Sequence, residues 1–221
     1  MAITLSTGAT VSVAKTYSPA LGSAGVANTA LTNANPCVVS SAGHTLSIGD
    51  YVQMSSGWGL LDQRVVRVQA VSAGVSFTLE GVDTSDTSKY PVGTGTGSHR
   101  EITAWSQLSQ VKSVSASGGA QQFADITSIA DTVIRQIPTV KDAVNMTIDV
   151  FDDPTLAWYA DVVAADTART PYGLLMTFPN GSKLVANSYW SIMKVPTMET
   201  NQALMSQITL SYAAEPLRYA T

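Results

Sequence analysis

The chain has 221 residues, 45% hydrophobic and only 13% charged, with a formal net charge of −4 and a pI near 5.0. Charge is about half its usual share, and hydroxyls take its place, with 25 Ser and 25 Thr; the acidic balance excludes a protein that grips nucleic acid by its phosphates. A single cysteine, Cys37, and two histidines far apart in sequence, His44 and His99, exclude an intrachain disulfide and a thiolate metal site, and no cofactor or metal is expected.

The length suits one domain over 1–221 with its own core. No run approaches the ~18 apolar residues of a membrane span. Met1-Ala-Ile-Thr-Leu-Ser6 has neither the basic start nor the apolar run of a signal peptide. A protein made in the cytoplasm of its cell, soluble or self-assembling, is expected.

Residues 16–49 contain no Asp, Glu, Lys or Arg and are dominated by Ser, Thr, Asn, Gly and Ala. Such an uncharged polar arm is expected to take its order from subunit contacts. From His44 to Gly81 the pattern is β. Tyr51-Val-Gln-Met54, Gln63 to Val71 and Val75 to Glu80 alternate with turns at Ser47–Asp50, Ser55–Gly59 and Ser72–Gly74. Residues 44–82 therefore read as a small β-subdomain or long hairpins. Asp83-Thr-Ser-Asp-Thr-Ser88 lacks the glycine and the bidentate Glu of a calcium loop and is read as Asx-turns. Gly93-Thr-Gly-Thr-Gly97 has no Lys-Ser/Thr after it and is no phosphate cradle.

Glu101 to Leu108 is a strand, Ser115 to Gly119 a loop, and Ala124 to Arg135 a short helical turn halted by Pro138. In Ala143 to Val150, Val144, Met146, Ile148 and Val150 face one side and Asn145, Thr147 and Asp149 the other, which predicts a half-buried strand with a wet face. A helix follows over about 153–168, with Asp153 as N-cap, Pro154 in the first position and a stripe of Leu156, Tyr159, Ala160 and Val163. Leu174 to Phe178 is a strand, and Asn180-Gly181 predicts a type I′ hairpin. The strand returning from Lys183 runs to about Val195. In the last strand, Leu204, Ile208, Leu210 and Tyr212 point inward and Met205, Gln207, Thr209 and Ser211 outward. The fold class is α+β, mainly β and mostly antiparallel.

Catalysis by a nucleophile needs a base within reach. His44 and His99 lie in Gly/Ser-rich stretches without a Gly-x-Ser-x-Gly elbow, and no carboxylate sits in an apolar run. Trp58, Trp105, Trp158 and Trp190 are dispersed and read as core or contact residues rather than a sugar platform. A structural or binding protein, not an enzyme, is expected.

The order of segments resembles the major tail tube protein of long, non-contractile tailed bacteriophages. The likeness is carried by Gln121-Gln-Phe-Ala-Asp125 leading to Arg135-Gln-Ile-Pro-Thr139 and the strand ending at Val150. It continues in Asp153-Pro-Thr-Leu-Ala-Trp-Tyr159, Thr170-Pro-Tyr-Gly173 and Phe178-Pro-Asn-Gly-Ser182, and closes with Ile208-Thr-Leu-Ser-Tyr212 before Glu215-Pro-Leu-Arg218. Leu46-Ser-Ile-Gly-Asp-Tyr-Val52, with 67–81 and Asp83-Thr84, is similar to an insertion of some members.

The resemblance implies an antiparallel β-sandwich with one flanking helix, assembling with itself into hexameric rings that stack into a tube of the virion tail. A tape-measure protein and DNA would occupy the lumen, DNA passing without specific binding during ejection, and a tail terminator would cap the tube. Four strands from each of six subunits, about 4.8 Å apart and tilted about 40°, make a barrel about 48 Å across, wide enough for a duplex. Six subunits at −4 each carry −24 per ring, which favours sliding over capture of a polyanion. The wet faces bearing Asn145, Thr147, Asp149, Gln207 and Thr209 are the lumen-facing candidates, with subunit contact as the other use of the same faces. The insertion 44–82 is expected on the tube exterior, and the arm 16–49 and the loop near 83–98 between subunits or rings. The competing reading is a tail-associated or surface β-domain that binds carbohydrate or protein without polymerising.

Overall fold

The computed structural model describes residues 7–198 and 200–220; the N-terminal hexapeptide weighed above as a leader lies outside them. Val11 and Val13, separated by Ser12, put two apolar side chains on one side of β1 (Thr10–Ser18). The same period of two recurs along the chain. After β1 come β2 (Val26–Asn28), β3 (Ala30–Leu31), β4 (Val38–Ser40), β5 (Tyr51–Ser56), β6 (Val65–Ser72), β7 (Ser76–Leu79) and the long β8 (Gly97–Leu108). The second half holds β9 (Val111–Ser117), β10 (Gln121–Asp125), β11 (Gln136–Lys141), β12 (Asn145–Phe151), α1 (Ala157–Ala168), β13 (Tyr172–Thr177), β14 (Lys183–Ile192), β15 (Met205–Tyr212) and β16 (Leu217–Tyr219).

Fourteen strands join in one sheet along the path β3-β4-β7-β6-β5-β8-β1-β13-β14-β15-β12-β9, with β2 on β8 and β16 on β14. The ladders among the described residues are antiparallel, so the mainly β, antiparallel architecture with one flanking helix is as expected. Three cores hold it. In the first, Val11, Leu174, Trp190, Ile208 and Ile148 from five adjacent strands pack against α1. The second fills the lobe of β4 to β7 with Val39, Val52, Trp58, Phe77 and Leu79. The third lies where the path curls over itself, with Tyr51 and Val65 of β5 and β6 against Val185 of β14 and Tyr219 of β16. Each large apolar side chain so buried contributes about 1.5–3 kcal/mol.

The second core reaches from Cys37 to Tyr90, so the packed lobe is larger than the expected 44–82. Cys37 is fully buried there, its Sγ facing the Thr32 carbonyl at 3.5 Å, and burial pushes its thiol pKa up. The uncharged segment 16–49 finds backbone partners in its own chain: Val26 opposite His99, Ala30 opposite Ser40, and Val38 opposite Thr78. The 83–98 loop is tied down as well. Asn33 Nδ2 donates to the Thr84 and Tyr90 carbonyls at 3.1 and 2.7 Å, and Trp58 Nε1 donates to Pro91 O at 2.8 Å. Asp83 and Asp86 form the expected Asx-turns, accepting from Ser85 N at 2.9 Å and Ser88 N at 3.1 Å.

The helix starts later and faces differently than predicted. Asp153 does not cap it. Its Oδ1 accepts from Thr155 N at 3.0 Å and Thr155 Oγ1 at 2.6 Å, one turn ahead, and the N-cap is Leu156, with no side-chain cap. The buried stripe is Trp158, Val162 and Ala165, while Ala160 is exposed and Leu156, Tyr159 and Val163 lie at its margin. The bulkiest apolar side chain sets the helix phase, and Trp158 is further held by Nε1 donating to Ser109 Oγ at 3.1 Å.

Other departures are local. Ser115–Ser117 is strand rather than loop, because β9 pairs with β12 and hides little apolar surface. The hairpin at Asn180-Gly181 forms, but positive φ falls on Gly181 (81°) and not on Asn180, so the turn is not type I′. Phe178 N–H donates to Ser182 O, and Gly181 N donates to Phe178 O, both at 2.9 Å. That is a type I turn closed by a glycine bulge, which Pro179 favours by fixing φ at the second position. β14 ends at Ile192, short of Val195, and Leu204 is exposed outside β15; the inward positions start at Ser206, whose Oγ donates to Asp152 Oδ1 at 2.6 Å.

The predicted helical turn at 124–135 is instead the tip of a two-stranded arm. β10 and β11 pair with each other alone, Phe123 opposite Pro138 and Ala124 opposite Ile137. Ile126, Ile129, Val133 and Ile134 have helical spacing, yet no surface lies beneath them for a helix to pack on, and all four are exposed. The arm leaves the sheet through Gly118, at φ 85°, where a Cβ would fall 2.0 Å from the Ala143 carbonyl oxygen. Its base is fixed by Asp142 N donating to Ala120 O at 2.8 Å and by Lys141 facing Glu215 at 3.9 Å.

Candidate functional site

Register brings the five expected residues together. Thr147 lies opposite Thr209, Asp149 opposite Gln207, and Asn145 opposite Ser211, all on the face of β12 and β15 turned away from α1. Asn145, Thr147 and Asp149 are half-buried by their neighbours, and Gln207 and Thr209 are exposed. Asp149 organises the centre: Ser113 Oγ donates to its Oδ2 at 2.6 Å and Gln207 Nε2 to its Oδ1 at 3.2 Å.

Two further strands extend this face. On one side β9 adds Ser113, Ser115 and Ser117, opposite Asp149, Thr147 and Asn145. On the other, the end of β14 adds Tyr189 and Ser191, opposite Ser211 and Thr209. The alternation of Ser113, Ser115 and Ser117 with Val114 and Ala116 carried the signal for β9, but serine-rich alternation reads equally well as loop. The result is a four-stranded surface about 14 Å wide, made of hydroxyls and amides around one carboxylate, Asp149, with Lys112 of β9 lining the same hollow at its edge. Such a surface presents many weak, exchangeable hydrogen-bond partners and almost no fixed charge.

Towards β13 the same side of the sheet is closed by the third core. Val185 and Asn187 are buried, and Asn187 Nδ2 donates to Gln63 Oε1 at 3.4 Å. The lobe of β4 to β7 and the hydroxyl face are thus far apart in the order of strands but meet in space beside β14.

No sugar-stacking platform accompanies it. Trp58, Trp158 and Trp190 are buried, and Trp105 packs edge-on against Tyr51 with centroids 5.7 Å apart. His44 and His99, distant in sequence, meet across Phe77, at 5.5 and 4.8 Å between ring centroids. Both are buried, and neither has a nucleophile beside it. His44 Nε2 donates to the Ser76 carbonyl at 3.2 Å and His99 Nδ1 to Asn28 Oδ1 at 2.7 Å. Burial, and then the neighbouring His44, pushes the His99 pKa down to about 4. The pair is a lining of the small lobe. No helix among the described residues is long and apolar enough to cross a membrane.

The chain has no match among curated protein sequences. Solved structures similar to it include a chain of the anti-feeding prophage baseplate, 8% identical at a TM-score of 0.40, covering 53% of this chain and 85% of that one. A chain of the anti-feeding prophage tube-terminating cap is 19% identical at 0.38, covering 52% and 83%. One from the extended sheath–tube complex of an extracellular contractile injection system is 16% identical at 0.37, covering 48% and 80%. The model of a protein family described as phage tail tube protein matches residues 56–221, three quarters of the chain and all of the hydroxyl face. The chain therefore belongs to the phage tail tube protein family, as a structural component of the virion tail and not an enzyme.

Proposed function

We propose that the protein forms hexameric rings stacked into the tube of a long, non-contractile tail, with the β9–β12–β15–β14 face turned to a lumen through which DNA leaves the virion. The observation that carries this reading is the hydroxyl face itself, four adjacent strands wide, apolar behind and almost uncharged in front. A conduit for a polyanion must stay wet without binding phosphates. Ser, Thr and Asn side chains around Asp149, on a chain of net charge −4, meet that requirement, whereas a lysine-lined face would retain DNA by counterion release. The tape-measure protein would lie against the same surface before ejection, and a terminator would close the tube.

With their backbone partners already met, the uncharged residues of 16–49 offer side chains rather than unpaired strands to a neighbouring subunit.

Negative-stain electron microscopy of the concentrated protein tests the assembly: six-fold rings or regular tubes are expected, and monomers at every concentration overturn it. Thr147→Lys with Asp149→Lys tests the face. Tails that assemble with this variant should deliver DNA more slowly, and unchanged delivery would make the face a subunit contact instead.

A further inference from the structure

Gln53 of β5 and Arg100 of β8 lie directly opposite each other in the antiparallel ladder. Their side chains therefore leave the sheet on the same face, with Cβ atoms about 5 Å apart. Both line a pocket of about 470 Å³, within the usual range of about 300–1,000 Å³ for small-molecule sites. The other walls come from the connection after β1, with Leu21 and Gly22, and from the end of α1 and the segment after it, with Ala168, Pro171 and Tyr172.

Each of the two side chains is anchored at one atom and open at another. Gln53 is only 6% exposed, and its Nε2 donates to the Pro171 carbonyl at 3.3 Å. That bond fixes the amide orientation and leaves the buried Oε1 as an acceptor with no protein donor. Arg100 Nη2 donates to the Ser23 carbonyl, while its buried Nε has no protein acceptor. No carboxylate lines the pocket, so among the described residues Arg100 is its one charge. A buried donor and a buried acceptor side by side, both unanswered, fit a molecule that brings an anion to the guanidinium and a donor to the amide oxygen. One guanidinium balances one negative charge, which suits a carboxylate rather than a doubly charged phosphate.

We infer that this pocket binds a small hydroxy carboxylate with an apolar tail. The carboxylate accepts from Arg100 Nε, the hydroxyl donates to Gln53 Oε1, and the tail lies against Leu21, Ala168 and Pro171. None of these residues belongs to the hydroxyl face, and the site does not depend on polymerisation. The bound molecule bridges β5 and β8 to the end of α1, so it stabilises the native fold according to its occupancy.

Heteronuclear NMR of the isotope-labelled full chain reads the site directly. The six arginines give separate Nε–H signals, and Arg100→Lys identifies the one concerned. Matched probes are phenyllactate, phenylpropionate, which lacks the hydroxyl, and phenyllactamide, which lacks the charge. Phenyllactate should shift the Arg100 signal with a Kd about tenfold below that of phenylpropionate, the worth of one hydrogen bond. The amide should leave the signal in place. Gln53→Met keeps the bulk and loses the acceptor, so it should erase the difference between the two acids while circular dichroism stays unchanged. Equal weakening of both acids in that variant would make Gln53 a structural residue and overturn the inference. It is overturned as well if phenyllactate leaves the signal unmoved at ~10 mM, if the two acids bind the wild type equally, or if inorganic phosphate binds as tightly as phenyllactate. Should Gln53→Met fail to fold, the comparison of the two acids on the wild type still decides.

Discussion

The hydroxyl of Tyr219 accepts a hydrogen bond from the Arg67 backbone N–H at 2.8 Å while the Arg67 guanidinium lies 4.5 Å from the centre of the same ring. Arg67 is held in turn by a bidentate pair with Glu80, at 2.5 Å for both bonds. The contact spans 152 residues and fastens the last strand, which pairs with β14, onto the small lobe. Burial keeps the phenol neutral, its pKa raised to about 12. Removing the hydroxyl leaves the ring in place and takes away the hydrogen bond. Tyr219→Phe should therefore lower the unfolding free energy by about 1–2 kcal/mol in urea titrations, with little change in the slope.

His99 makes stability depend on pH. Its folded pKa of about 4 lies below the ordinary 6.5, so the unfolded chain takes up the proton first. The stabilisation is fully present above pH 6.5 and falls as pH drops toward 4, by roughly 3 kcal/mol in all. The groups packed on the ring are Asn28, Phe77 and the second imidazole, His44, with no carboxylate among them to hold a charge. His99→Gln keeps a donor for Asn28 and should flatten that part of the pH profile. A loss of equal size in the variant would assign the acid lability elsewhere.

Gly118 controls how the arm leaves the sheet. At φ 85°, with the Ala143 carbonyl oxygen 2.0 Å from where a Cβ would lie, Gly118→Ala must move backbone. A cost of at least ~1 kcal/mol is expected. Thermal melting of the variant beside the wild type measures it.

Asp153→Ala is expected to change stability by less than about 0.5 kcal/mol, as surface substitutions do. A true N-cap would cost about twice that or more. The carboxylate serves the Thr155 turn, whose hydrogen bonds hold its pKa below the usual carboxylate range, and the helix begins without it. Chemical denaturation separates the two cases.

What was legible in the chain was alternation. Met146, Ile148 and Val150 against Asn145, Thr147 and Asp149 gave the strand, its buried side and its wet side correctly, because a period of two with strong contrast has a single solution. The phase of α1 was misjudged because two stripes compete in its sequence, and only the sheet beneath decides that Trp158 points inward. β9 was missed because an edge strand exposed on both sides needs few apolar residues. The arm misled most: Ile126, Ile129, Val133 and Ile134 imitate a helix, and whether any surface lies beneath them is a question of tertiary structure. The pairing of β9 and β14 with the two strands whose wet faces were foreseen doubled the width of the hydroxyl face; β14 was expected as a strand but not beside this face, since strand order across long connections leaves no local trace.

The buried thiol of Cys37 has a practical consequence. With no exposed surface and a pKa raised by burial, it is inert toward alkylating reagents while the small lobe stays closed, and there is no second cysteine to confuse the signal. The labelling rate of the native protein therefore reports the opening of that lobe alone: its open population at low reagent, and its opening rate once the reagent outpaces reclosing. Compared before and after polymerisation, it would act as an internal clock, reporting whether joining the tube stiffens the small lobe.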